Sequence, residues 1–147
     1  MYRKAIIPYL FLLVFYCAKN KVVDSSTFPL SFGTDETLDI ITWNIENFPK
    51  QDNITLNYLV ELIDSLNVDI IAMQEIKSET DFLNLINKLD GWEGYRANSA
   101  YYNIDLAYLF KSNLIINNLY EIEELDDYNL PRIPLLLEVY WGGQIIY

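Results

Sequence analysis

The sequence predicts an α/β domain, and three observations carry the prediction. An apolar, β-branched and aromatic segment at Leu38 to Ile45 is followed by apolar residues at helical spacing. A second apolar run, Val68 to Met73, comes next. Strand, helix, strand is the order of a βαβ unit, whose parallel strands are joined by a right-handed crossover.

Each element follows from its local pattern. Leu38 to Ile45 is apolar, β-branched and aromatic-rich, as expected of a largely buried strand. Pro49 closes the loop after it. Leu56, Leu59, Val60, Ile63 and Leu66 then recur at helical spacing, with Asp52 or Asn53 placed to cap the helix. The second strand, VDIIAM, runs into Gln74 and Glu75. Ser78 and Asp81 form a capping pair for a second helix with Phe82, Leu85, Ile86 and Leu89 on its apolar face, and Gly91 is placed to stop it. Short strands follow at Gly94 to Ser99, Ile104 to Phe110 and Leu114 to Tyr120. Glu121 to Asp127 is an acidic loop or helical turn. Leu135 to Trp141 is a strand, Gly142-Gly143 a tight hairpin turn, and Gln144 to Tyr147 the returning strand.

Composition bounds the function. The chain has 147 residues and is 52% hydrophobic, enough for one domain with a real core. Its formal net charge of −11 excludes a broad basic surface for coating nucleic acid. It leaves phosphate chemistry open, because a bound divalent cation supplies local positive charge. With no histidine, every His-based triad and every His metal ligand is excluded within these residues. A single cysteine, Cys17, rules out an intrachain disulfide. Tyr101-Tyr102 lacks the basic interleaving of a nucleic-acid platform and is read as packing and surface.

The amino terminus reads as an address. Arg3 and Lys4 precede an apolar run from Ala5 to Tyr16, too short for a comfortable membrane span and suited to a secretory signal. Cys17 directly after it resembles the lipid-modified cysteine of bacterial lipoproteins, although Tyr16 stands where that signal favours a small residue. The expected organisation is a signal of lipoprotein type over residues 1–17, a tether over 18–37 and a folded domain over 38–147. The expected location is exported, either in a bacterial cell envelope, held to the membrane by a lipid anchor, or secreted.

If the two βαβ strands share a sheet, their carboxyl ends lie on one edge, where open α/β sheets bind ligands. Asn44 and Glu75 would then converge. Without further information, Asn44 is a turn-forming strand end, Glu75 a solvated carboxylate and Arg132 a surface partner of the acidic loop.

WNIENF, a helix and then DIIAMQEI together resemble the endonuclease/exonuclease/phosphatase superfamily of metal-dependent phosphoesterases. LAYLFKS, LPRIPLLLEV and GGQIIY follow in the order of further family strands. The resemblance covers residues 38–147 and implies the amino-terminal half of a DNase I-like four-layer α/β sandwich. It implies that Asn44 arranges the phosphate and metal site, that Glu75 binds Mg²⁺ or Mn²⁺, and that Arg132 contacts phosphate. The implied substrate is a phosphate ester, nucleic acid or phospholipid head group; no specific protein partner is implied. The family's later His, Asp-x-Asn and Asp-His motifs are absent from these residues. The chain is therefore expected to be inactive or nearly so, with an apolar sheet face exposed. Two alternatives stay open: an exported non-catalytic lipoprotein module derived from the same fold, and an unrelated α/β domain.

Overall fold

The computed structural model describes residues 31–128 and 130–147. The signal, Cys17 and most of the tether lie outside the described residues. Contacts begin ahead of Leu38: the Phe32 and Gly33 amides donate to the Leu66 carbonyl at 2.9 and 3.1 Å. Gly33 lies so close to the Asn67 backbone that a Cβ there would run into its carbonyl.

The element order is β1 (Ile40–Phe48), α1 (Asp52–Leu66), β2 (Ile70–Ile76), α2 (Glu79–Lys88), β3 (Trp92–Arg96), β4 (Asp105–Lys111), β5 (Ile115–Glu121), β6 (Leu135–Trp141) and β7 (Gln144–Ile146). β1 to β4 form a four-stranded sheet in the order β1-β2-β4-β3, and β5 to β7 form a three-stranded sheet. β1 and β2 are parallel, as the βαβ reading requires, while the other pairings are antiparallel. No helix among the described residues is long and apolar enough to cross a membrane.

Two apolar layers hold these elements together. Ile71, Met73, Ala107 and Leu109 of the four-stranded sheet pack against Leu56, Leu59, Ile63, Phe82 and Leu85 of the helices. On the opposite face, Ile70 and Phe110 meet Leu137 and Val139 of the smaller sheet. Burial on both faces explains why β2 carries an unbroken apolar run. Helices, sheet and second sheet thus reproduce part of a DNase I-like sandwich. Apolar side chains are uncovered on one face of the smaller sheet, where Ile115, Tyr120, Tyr140 and Ile145 are exposed. Ile40 is exposed too, because β1 is an edge strand covered on one face only and not largely buried as its pattern suggested.

Several boundaries move for local reasons. β1 continues past Ile45 to Phe48 because that side chain is completely buried and its carbonyl accepts the Lys77 and Ser78 amides at 3.0 and 3.2 Å. Neither Asp52 nor Asn53 caps α1. Gln51 occupies the cap without a side-chain bond, and its amide donates instead to Thr55 Oγ1 at 2.9 Å. Asp52 lies within the first turn at φ 45°, where a carboxylate still complements the helix dipole. α1 ends at Asn67 in the left-handed conformation (φ 52°). The Ser78 cap of α2 forms as expected, its Oγ accepting from the Asp81 amide at 3.2 Å. Gly91 does not stop α2, which ends at Lys88 with Leu89 already extended. The acidic segment forms a 3₁₀ helix, Glu123–Tyr128. Gly142 (φ 57°) and Gly143 (φ 85°) make the β6–β7 turn, which needs positive φ at both centres.

Phe48 joins the end of β1 to the start of α2. Phe48→Ala should cost about 3–5 kcal/mol by leaving a cavity under that corner. Chemical denaturation should show an unchanged slope and a lowered midpoint; a loss near zero would mean that the corner collapses freely.

Candidate functional site

Parallel pairing brings the carboxyl ends of β1 and β2 to one edge, and there the ladder breaks. Asn44 pairs with Gln74, and pairing resumes only at Phe48 with Ile76. Between those points Ile45, Glu46 and Asn47 of β1 face the single residue Glu75 of β2. The extra length is taken up by left-handed backbone at Glu46 (φ 52°), Asn47 (φ 56°) and Glu75 (φ 66°). Asn accepts that conformation readily; Glu does not. Glutamates held there cost of order 1–3 kcal/mol each, and such strain concentrates at functional sites.

On the other side of β2 the register with β4 also slips, between Met73 and Ile76. The irregularity decides where side chains go. Without it, Glu75 would follow Ile71 and Met73 toward the helices. With it, Ile76 takes the buried position and Glu75 is turned out to the edge, half-buried.

The Glu75 carboxylate is then held on both oxygens. Asn44 Nδ2 donates to Oε1 at 2.9 Å, and the Asn47 amide donates to Oε2 at 3.2 Å. The Asn44 amide has only one workable orientation. The Glu46 N–H donates to its oxygen at 3.0 Å, so the nitrogen must face Glu75. All these donors are neutral. Among the described residues no Lys or Arg is ion-paired with Glu75. Among the described residues each carboxylate oxygen accepts one hydrogen bond, which leaves it a lone pair for a cation.

Among the described residues no group of three or more acidic, His or Cys side chains comes together. The donor set near this edge is therefore one hard carboxylate. That fits a cation such as Mg²⁺, which keeps much of its water and takes one or two carboxylates together with substrate phosphate.

Arg132 is not joined to this pair by any hydrogen bond among the described residues. Its Nε donates to the Ile104 carbonyl at 2.6 Å, and it forms no ion pair with the described part of the acidic segment. It lines a neighbouring cleft of about 630 Å³ with Ser99, Tyr101, Tyr102, Ile104, Leu130 and Pro131. Both tyrosine rings are exposed and meet edge to face at 4.6 Å. Tyr102 (φ 73°) and Asn103 (φ 56°) are also left-handed. The cleft belongs to the same sheet edge, because Asp105, which ends this loop, pairs with Ile76. Gln74 braces the strands, donating to Thr42 Oγ1 at 2.9 Å and the Ala72 carbonyl at 3.1 Å. The Glu46 side chain pairs with Lys50 at the surface.

Two charged residues were not foreseen. Asp105 is 1% exposed and lies 2.6 Å from Arg96. Burial pushes its carboxyl above the usual range, opposed by the Ala100 amide bond and Arg96. Burial likewise raises the Tyr108 phenol, whose hydroxyl donates to the Leu135 carbonyl. The available signal was an Arg ending one short strand and an Asp opening the next. The backbone amides of Glu46 and Asn47 carried no signal, since any residue type supplies them.

Comparison with known proteins bears on the family and the fold. A model described as Endonuclease/Exonuclease/phosphatase family matches residues 41–140. Among solved structures, a humanised D. rerio TDP2 carrying 14 mutations aligns with a TM-score of 0.60 at 15% identity. The alignment covers 74% of this chain and 44% of that one, so the chain spans less than half the length of that structure. At this identity the likeness carries the fold alone. No curated protein matches.

Asn44→Asp is the sharpest probe of the pair. It puts a second carboxylate beside Glu75, and like charges this close cannot both ionise cheaply. The melting temperature should fall at neutral pH and recover as pH drops and the new pair takes a proton. A variant as stable as wild type at every pH would mean that the two side chains do not meet in solution.

Proposed function

We propose, because the chain belongs to the endonuclease/exonuclease/phosphatase family, that Asn44 and Glu75 form one wall of a site that hydrolyses phosphate esters. The observation that carries this reading is the Glu75 carboxylate, held on both oxygens by neutral donors at 2.9 and 3.2 Å and ion-paired with no described cation. Glu75 holds Mg²⁺ or Mn²⁺ in this reading. When bound, such a cation polarises the phosphoryl group and steadies the leaving oxygen. Asn44 fixes the direction of the carboxylate without adding charge. Arg132, tethered through Nε, offers its remaining N–H groups to a phosphate oxygen in the adjoining cleft.

These residues do not supply a base for the attacking water. The chain has no histidine, and no second carboxylate joins Glu75 among the described residues. Lack of a general base removes about 10² to 10⁴ in rate. The 147-residue chain is therefore proposed to be inactive or nearly so by itself. The substrate class is a phosphate ester of nucleic acid or of a phospholipid head group. The location is the exported one implied by the signal pattern, either the cell envelope with Cys17 as the site of a lipid anchor or secreted. A second reading is an exported non-catalytic module of the same fold; the apolar face that exposes Ile115, Tyr120, Tyr140 and Ile145 is what the first reading expects and does not favour it.

Two measurements separate these readings. Mn²⁺ binding, followed by water proton relaxation, should be detectable and lost in Glu75→Ala. Hydrolysis of bis(p-nitrophenyl) phosphate should stay near background with or without Mg²⁺. Binding undiminished in Glu75→Ala would remove the metal site, and no binding by the wild-type chain would favour the module. Robust Mg²⁺-dependent hydrolysis abolished by Glu75→Ala would overturn the proposed inactivity.

A further inference from the structure

Arg96 and Asp105 form the most deeply buried ion pair among the described residues, with side chains 10% and 1% exposed. Neither touches the Glu75 carboxylate. Burying two charges is expensive, and an apolar pair of similar volume often serves stability as well or better. What the guanidinium contacts suggests why a charge pair stands there. Nε and Nη2 donate to the Ile76 carbonyl at 3.3 and 3.2 Å. Nη1 donates to the Ala97 carbonyl and Nη2 to the Asn103 carbonyl, each at 3.1 Å. Asp105 Oδ2 is ion-paired with Nη2 at 2.6 Å but accepts no hydrogen bond among the described residues, while Oδ1 accepts the Ala100 amide at 2.8 Å.

Ile76 follows Glu75, the residue held at φ 66°, and closes the irregular stretch of β2. A left-handed glutamate returns to a β conformation unless its neighbours are pinned on both sides. Gln74 is pinned by its pairing with Asn44. Ile76 is pinned by the ladder and by the two guanidinium bonds to its carbonyl.

We propose that Arg96, oriented by Asp105, is a positioning residue for Glu75: it fixes the Ile76 carbonyl and so aims the carboxylate at Asn44 and Asn47. The same guanidinium holds both ends of the loop that carries Tyr101 and Tyr102. One planar fork thus sets the carboxylate and the cleft wall relative to each other. Lysine keeps the charge but cannot reach these acceptors together. The metal part of the proposal rests on Glu75 being the cation ligand; the positioning part does not.

The test uses the full 147-residue chain, isotope-labelled, with Arg96→Lys. The expected result is local. Exchange of the Asn47 amide accelerates by about tenfold, the size of one lost hydrogen bond, and the Asn44 side-chain amide resonances move. Amides of Ile63 and Leu109 keep their protection. Mn²⁺ affinity falls by about 10- to 100-fold, as for other residues that orient a ligand. A folded Arg96→Lys with wild-type Asn47 exchange and Asn44 resonances overturns the proposal. So does a loss of protection spread evenly over the core, which is the mark of a purely structural pair. If the wild-type chain binds no Mn²⁺, the metal reading of Glu75 fails, and the Asn47 and Asn44 signals still decide the positioning role. Should Arg96→Lys not fold, the wild-type chain carries the test. Arg96 Nε–H and Asn47 N–H should then exchange through one common opening, with equal protection and denaturant dependence; separate openings overturn the proposal.

Discussion

The structure depends on the parallel pairing of β1 with β2 and on where that pairing stops. From Ile40 to Asn44 the two strands run in register with Ile70 to Gln74. On one side both strands face the helices; on the other only β2 is covered by the smaller sheet, and edge strand β1 leaves Ile40, Thr42 and Asn44 exposed. One residue later the register fails. A regular ladder would carry Glu75 into the apolar layer that holds Ile71 and Met73, where an unpaired carboxylate is costly. The irregular stretch avoids that outcome and lets Ile76 occupy the buried place.

The electrostatics follow from the same break. Glu75 meets donors without charge, whereas Asp105 and Asp69 meet Arg96 and Lys111. The two kinds of acidic group are thus partitioned. One is neutralised within the fold, and one is oriented but left with its charge. In a chain of net charge −11, Glu75 is distinguished by its uncharged partners rather than by abundance. Among the described residues the cleft beside it is lined by Ser99, Tyr101, Tyr102, Ile104, Leu130, Pro131 and Arg132, with the Glu121 carboxylate bonded to Ser99 behind it.

Much of the fold was legible from pattern. The strand, helix, strand order, the Ser78 cap, the Leu135 to Trp141 strand and the Gly142-Gly143 turn each follow from a local rule that tertiary contacts reinforce. The errors lie where a local rule competes with packing. The α1 cap failed because Gln51 bonds to Thr55 rather than leaving the task to Asp52 or Asn53. β1 outran its apolar pattern because buried Phe48 lies beyond the polar residues Glu46 and Asn47.

The sequence alone determined that Asn44 and Glu75 converge, because a parallel βαβ unit must bring its strand ends to one edge. It also determined what these residues lack, since a chain without histidine has no imidazole to offer. Only the tertiary structure decided how the pair meets. The left-handed turns at Glu46, Asn47 and Glu75, the amide bonds they create and the Arg96–Asp105 pair behind them leave no trace in hydropathy or spacing. They arise because two strands of unequal length must rejoin at Phe48 and Ile76, a requirement visible only once both strands and their neighbours are in place.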